Sequence, residues 1–551
     1  MQFIKQGMVF FTVNLFLSAA SFSWADDPHS LSSTEPALST PAQPVQPLDL
    51  NLPFKGINSY SQNFADWHVQ LNPHYDQPII IKNKQIQDTV RQHYFGENSV
   101  WEQKSGEQIA AQVKAILDFE KSILKYNPDP TNLVLGWDNP VNQNSDTLYD
   151  SARITELEAL MDLEQFSGSY QYDPSRRAIT VQNADTRILP TNQGYYKDNK
   201  AVGEGADFDY IQNSATWAGT PVYILGYSKK DKENKTWDLV WTPDCIGWIE
   251  SDKVATVNDD FISRWKKPAL TAIINPEVNI VDEEEGTQRF LGYVGMILPL
   301  YKKHHSGLSV LIPIKSATGE AQIRFAYLSA EDAVKIPYSP TPRNFVTVMQ
   351  HQLGRPFAWG GGRPYGWDKK GFYNDASAEM KYLFTVFGIY LPRHSTDQVD
   401  QKNVPGRAVD FTTDATGKVT TVDERIAYLQ NNGHPFMTII GGLALYLGNY
   451  ENPANGQLQA LAYHNIFGIT PSQESRDAGK DINRRAVVSK SLILPLLASY
   501  PEDSNLSSFI GRGFFRLMYL DDVVPAPMTL IALPHAQPVN EKIDIKALMS
   551  L

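Results

Sequence analysis

The sequence predicts an α+β chain of several domains, on three observations. Its 551 residues suffice for three or four domains, at roughly 100–200 residues each. A helical pattern occupies residues 54–168, and two successive strand-rich stretches, 169–266 and 267–338, each read as a small β-barrel. Residues 339–535 then mix both patterns in one larger module, before a tail at 536–551. Hydrophobic content of 42% and aromatic content of 11% supply cores for all of these, which excludes wholesale disorder.

Ahead of the folded part, residues 1–25 read as a secretory signal. Lys5 is the only charge before an apolar core from Met8 to Leu17, and Ser23-Trp24-Ala25 sets small residues at −3 and −1 of a cut. That core is shorter than the ~20 apolar residues of a spanning helix. No later stretch is long and apolar enough, so no integral span is expected once the signal is removed; an uncleaved anchor is the alternative. No cysteine lies near the cut, which excludes a lipid-modified N-terminus. Residues 26–53, rich in Pro, Ser, Thr and Ala, read as an extended, mobile linker.

A net charge of −12 with no basic stripe argues against a nucleic-acid partner. The run Asp282-Glu283-Glu284-Glu285 reads as a solvated turn. Cys245 is the single thiol, so no internal disulfide forms. With no HExxH or HxH pattern either, neither a metal nor another cofactor is expected.

Within the helical stretch, Ile109, Val113, Ile116, Leu117 and Phe119 recur at three- and four-residue spacings, the mark of a helix over 107–124 with one buried face. Asn127-Pro128-Asp129-Pro130 stops it. In the first strand-rich stretch, short apolar runs at 186–191, 208–212, 219–225, 237–241 and 246–249 alternate with polar turns. Gly247 and Trp248 give a close strand crossing and a ring to fill the barrel end. The second stretch repeats the pattern at 278–281, 293–300, 308–313 and 323–328.

The module opens on a glycine turn, Trp359-Gly360-Gly361-Gly362, and an unusually aromatic insertion, 363–373. Asn374-Asp375-Ala376-Ser377 follow, then an amphipathic stretch ending at Gly388, then Leu391-Pro392-Arg393 and Gln398. This layout resembles the NlpC/p60 cysteine peptidases of bacterial cell walls, where a tight WGG turn precedes Asp-Cys-Ser and the cysteine opens a helix. The resemblance implies a papain-like α+β module, two SH3-like barrels and a helical N-terminal stabilising domain. A helix N-terminus suits a thiolate because it favours negative charge. In the family the base is a histidine on a following strand, in a "GH-x-x-LYLG" context, and the orienting group a polar residue on the next strand, in "HNIWG".

Here the cysteine slot reads Ala376. Gly441 to Gly448 match the base strand, with Gly442 in the histidine slot, while Tyr463 to Gly468 keep the third residue, His464. A methyl group cannot attack a carbonyl, and a hydrogen cannot take a proton. The paired loss points to a naturally inactive module, a pseudoenzyme with no intact catalytic residue. The resemblance implies that it binds a peptidoglycan stem peptide, or a periplasmic protein partner, in the periplasm or cell envelope. Asp375, Ser377, Trp359 and His464 are the candidate binding residues. Asp375 has two readings: a ligand for the free amine of an L-Ala-γ-D-Glu stem, or an N-cap for the helix. Arg393 and Gln398 read as ties from the helix end to the next segment, and His394 and His434 as surface histidines. Two rival functions stay open: a murein peptide hydrolase with a centre rebuilt from Ser377, His464 or a residue brought in from elsewhere in the chain, and an interaction scaffold acting through its barrels.

Overall fold

Helix α1 (Thr89–Phe95) is followed by helix α2 (Gly106–Leu124), which forms where the apolar spacing predicts it. Ile109, Val113 and Ile116 are buried, and Leu117 and Phe119 pack against the same core. The structure is a computed structural model and describes residues 60–81, 84–124, 134–137, 146–148, 151–194, 196–197, 209–362, 372–469, 486–500, 503–511 and 514–521. The signal, the linker, the stop at 127–130, most of the insertion and the tail lie outside these. No described helix is long and apolar enough to cross a membrane. Helix α3 (Ser151–Met161) closes the N-terminal region.

Next comes a seven-stranded antiparallel sheet. Its strands are β1 (Arg177–Thr180), β2 (Ala184–Arg187), β3 (Gln212–Thr216), β4 (Pro221–Tyr227), β5 (Trp237–Trp241), β6 (Ile246–Glu250) and β7 (Val254–Thr256), in the order β7-β1-β4-β5-β6-β2-β3. The crossing at Gly247 is close enough that a Cβ there would lie 2.6 Å from the Arg187 carbonyl oxygen. Trp248 is fully buried, and its indole N–H donates to the Glu120 carboxylate on α2 at 2.8 Å. A single side chain therefore fills this barrel and fastens it to the helical region.

Helix α4 (Asp259–Lys266) leads to a second sheet of β8 (Leu270–Ile273), β11 (Ile297–Lys303), β12 (Gly307–Lys315), β13 (Ala321–Ser329) and β14 (Ala333–Lys335), in the order β13-β12-β11-β8-β14. The hairpin β9 (Val278–Val281) and β10 (Gln288–Gly292) packs beside it. In the acidic turn Asp282 is fully buried rather than solvated, because Arg289 pairs with it at 2.7 Å.

The module is built on a six-stranded antiparallel sheet: β15 (Arg407–Asp410), β16 (Thr438–Ile440), β17 (Ala444–Glu451), β18 (Leu458–Ile469), β19 (Ala486–Pro495) and β20 (Arg516–Tyr519), ordered β15-β20-β16-β17-β18-β19. Helix α5 (Pro342–Gln352) starts on a Thr341 cap with proline at its first turn. Helices α6 (Ala376–Val386) and α8 (Val422–Asn432) cover opposite faces of the sheet, with the short α7 (Ser395–Gln398) between them in sequence. Alternation along β17 and β18 separates the two cores. Leu445, Leu447, Leu461 and Tyr463 join the core of Met380, Leu383 and Phe384, while Ala444, Tyr446, Ala460 and Ala462 join that of Val422, Ile426 and Leu429. Each large apolar side chain buried here contributes about 1.5–3 kcal/mol.

Helix α6 is not amphipathic. All eleven of its residues are buried, Glu379 and Lys381 included. The two charges that made the stretch look one-sided are both paired inside the protein, so the helix is a central element enclosed on every side.

Candidate functional site

The glycine turn brings the first barrel against the start of α6. Gly360, Gly361 and Gly362 all have positive φ, at 75, 69 and 116°. A Cβ on Gly360 would meet the Gln212 carbonyl oxygen at 2.2 Å, so no side chain fits there. The Gln212 amide in turn donates to the Gly361 carbonyl at 3.0 Å. Trp359 is half-buried and lies beside Tyr210 of the barrel, with ring centroids 6.2 Å apart. It forms a wall between the two domains.

Asp375 caps α6. One oxygen accepts the Ala378 N–H at 2.8 Å and the Ser377 hydroxyl at 3.0 Å, and the other accepts the Gly360 N–H at 3.0 Å. Arg393 adds a bidentate pair at 3.0 and 2.6 Å. Burial alone would raise the Asp375 pKa, but the Arg393 charge and hydrogen bonds overcome it and hold the carboxyl below its ordinary value. Five donors meet a carboxylate with about four lone-pair positions, so a free amine has to displace one of them. Arg393 also reaches the Ser377 and Ser214 hydroxyls, both at 2.9 Å. Gln398 donates to the Ser377 and Pro392 carbonyls, both at 2.8 Å. Both residues therefore tie down the start of α6, not its end.

Ala376 sits at the first helical position, 7% exposed, offering only a methyl group. The space beside Gly442 is closed by backbone. Gly442 lies in the turn between β16 and β17, not on the strand, with φ of 70°. A Cβ there would come within 2.1 Å of the Ser395 carbonyl oxygen and 2.7 Å of its Cα. Backbone stands where a histidine side chain would have to begin.

His464 is paired with Ala444 across β17 and β18, and is 1% exposed. Tyr463, its neighbour, hydrogen-bonds Glu379 on α6. Successive strand residues point to opposite faces, so His464 points away from α6, towards Phe509 at 5.3 Å. Neither ring nitrogen has a hydrogen-bond partner among the described residues. Burial pushes its pKa down to about 3, which keeps the imidazole neutral. In this arrangement its ring hydrogen-bonds no other side chain among the described residues.

Ser377, 8% exposed, has its hydroxyl committed to Asp375 and Arg393, with no imidazole as partner. Cys245 lies in a turn closed by its own N–H to the Thr242 hydroxyl at 2.9 Å, and burial pushes its thiol up to about 12, far from a nucleophile's range. His394 is exposed, a surface histidine as expected, and partial burial with the adjacent Arg393 pushes it down to about 4. His434 is not a surface histidine: it is 8% exposed, and its Nδ1 pairs with the Asp521 carboxylate at 2.6 Å. Asp521 is 87 residues distant in sequence, so no local pattern announces the pair. No group of acidic, histidine or cysteine residues suited to a metal occurs among the described residues.

A buried polar junction behind α6 also escaped sequence reasoning. The Lys381 ammonium lies 3.2 Å from Asp244 of the first barrel and 3.1 Å from the Tyr94 hydroxyl of α1. Tyr94 and Tyr390 both donate to Asp244, at 3.0 and 3.3 Å. Burial works against the Asp244 charge, but Lys381 and His93 beside it hold its pKa below the ordinary value. The helical region, the first sheet and the module thus share one internal ion pair, and helix α6 is fixed by it.

Comparison with known proteins places this geometry. The family described as SH3 domain (SH3b1 type) matches residues 195–250, within the first barrel. The structure is similar to that of an NlpC/P60 endopeptidase from Photobacterium damselae subsp. piscicida, with a TM-score of 0.64 at 22% identity over 89% of this chain and 100% of that one. An NlpC/P60 family protein from Bacillus cereus matches with a TM-score of 0.33 at 16% identity, over 60% and 98% of the two chains. No curated protein matches the sequence. The chain has the mixed α+β fold of an NlpC/P60 endopeptidase together with an SH3-like domain.

Proposed function

We propose that the chain is an exported, catalytically silent protein of the NlpC/p60 type that holds a cell-wall stem peptide without cutting it. The observation that carries this reading is the state of the two chemical positions. Ala376 supplies no nucleophile, and the Ser395 backbone occupies the space in which a base at Gly442 would begin. Thiol peptidase chemistry needs a nucleophile and a base in hydrogen-bond reach of each other, and neither Ser377 nor Cys245 has such a base among the described residues. A rebuilt hydrolase lacks its second partner on this geometry.

Peptide binding is tested by titrating a soluble L-Ala-γ-D-Glu-containing stem peptide, free of sugar, into the full-length protein. The expected result is saturable heat with the peptide recovered intact, and weaker binding by Asp375→Asn. Absence of heat overturns the peptide ligand. One observation favours the second reading, a scaffold for a periplasmic protein: Arg393, Ser377 and two backbone N–H groups already engage Asp375. Capture of a defined envelope protein by a chain that ignores the peptide would establish it.

A further inference from the structure

We infer that the turn Phe509–Gly511 is an acid-released lid over His464, covering the imidazole at neutral pH and uncovering it as pH falls. As a control on ligand entry this rests on the peptide-holding reading above; as a movement it stands by itself. His464 is 1% exposed, and its ring centroid lies 5.3 Å from that of Phe509. Both ring nitrogens lack a hydrogen-bond partner among the described residues. An unpaired polar group in a protein interior favours any rearrangement that returns it to water. The turn closed over His464 works against that tendency. Its own fastening is light. The Ser508 N–H donates to the Ala498 carbonyl at 3.2 Å, and the Ile510 and Gly511 N–H groups donate to the Ser508 hydroxyl and carbonyl, both at 3.3 Å. These lie at or beyond the long end of the ordinary range. The firm attachments are two: Arg425 of α8 donates to the Ile510 carbonyl at 2.7 Å, and Ile510 packs in the core of Val422 and Ile426. Phe509 itself is only half-buried.

The surroundings of the ring set the sign of the pH response. Its neighbours across the strands are Ala444 of β17 and Leu492 of β19, and its neighbour from the turn is Phe509. None of these carries a charge. The charged side chain bonded to the turn is Arg425, a cation, which cannot stabilise a second positive charge. Burial alone pushes the imidazole down to about 3 from its ordinary 6.5. With the turn lifted the ring regains water and its ordinary value. Between about pH 6.5 and pH 3 the open form therefore binds a proton that the closed form does not, so falling pH favours opening. From pH 7 to pH 5 the population of the open form should rise about 25-fold.

The test is hydrogen exchange of residues 503–511 in the full-length protein, read by mass spectrometry at pH 7 and pH 5 and corrected for the intrinsic pH dependence of exchange. The amides of 508–511 should open about 25-fold more at pH 5, while β17 and β18 keep their protection. His464→Leu should abolish that rise. Arg425→Met, which removes the tether to Ile510, should raise opening at both pH values and keep their ratio. A second readout needs no variant: diethyl pyrocarbonate at pH 7 should modify His464 far more slowly than the exposed His394. The inference is overturned if 508–511 shows no extra opening at pH 5, if His464→Leu keeps the rise, or if the turn exchanges only together with β17 and β18. It is likewise overturned if the reagent modifies His464 as fast as His394. Neither measurement contains peptide, so a negative result leaves peptide binding by the module untouched, and a failed peptide titration leaves the lid untouched.

Discussion

Putting the missing chemistry back should not restore a peptidase. Consider Ala376→Cys with Gly442→His, which returns sulfur and imidazole to both slots. The cysteine alone should be tolerated, since Ala376 starts a buried helix and gains one sulfur atom. The histidine is the obstacle. It must adopt φ near 70°, which costs a residue with a side chain about 1–2 kcal/mol. Its Cβ must also displace a carbonyl oxygen that would lie 2.1 Å away, against backbone that cannot swing aside like a long side chain. Overpacking of that kind costs about 1–3 kcal/mol. Together these give roughly 2–5 kcal/mol, or a melting point lowered on the order of 10 °C for a module of this size. The assay is thermal unfolding of both single variants and the double variant, beside chromatography of a muropeptide digest. Ala376→Cys alone should melt like the parent and cut nothing, and the double variant should melt early and cut nothing. A double variant that melts normally and cleaves would refute the argument that the slot is sterically closed.

Other consequences concern stability. Burial raises Asp238 to about 6, against a smaller opposing effect of its Ser251 hydrogen bond and Lys315. The native state then holds the extra proton between about pH 4 and 6, so first-barrel stability falls as pH rises through that window; Asp238→Asn should flatten the slope and gain up to about 3 kcal/mol at pH 7, read by denaturant titration. His464 acts in the opposite sense: its native pKa of about 3 lies below the unfolded value. Stability is therefore lost as pH falls below about 6.5, by about 2 kcal/mol at pH 5, and His464→Leu should remove that loss. Lys381→Met strands the Asp244 charge and should cost about 3–5 kcal/mol, whereas adding Asp244→Asn should recover much of it in a double-mutant cycle.

Much of the fold was legible because its signals are local. Strand β5 at Trp237–Trp241 and strand β9 at Val278–Val281 fall where alternation put them. Other boundaries moved for physical reasons. The run at 186–191 ends as a strand at Arg187, because that side chain turns inward to Asp209 and Gln212. The run beginning at Tyr293 is a turn first and a strand only from Ile297, where Ile297 pairs with Ala272. Residues 489–495 lie in β19, paired along β18. In the site, the glycine turn and the N-cap role of Asp375 are short-range and were readable. The Arg393 clamp, the Lys381–Asp244 junction and the His434–Asp521 pair were not, since each joins residues far apart in sequence. The closure at Gly442 was hidden for the same reason: glycine looked like a lost histidine, and only the packed Ser395 backbone gives it a second meaning.

The central claim is that nothing in this module breaks a bond. The most direct measurement is mass spectrometry of muropeptides after prolonged incubation with the purified full-length protein. The account predicts that every stem peptide is recovered whole. A cleaved product that disappears on Ser377→Ala or His464→Ala would contradict it, by showing that a different pair of side chains carries out the reaction.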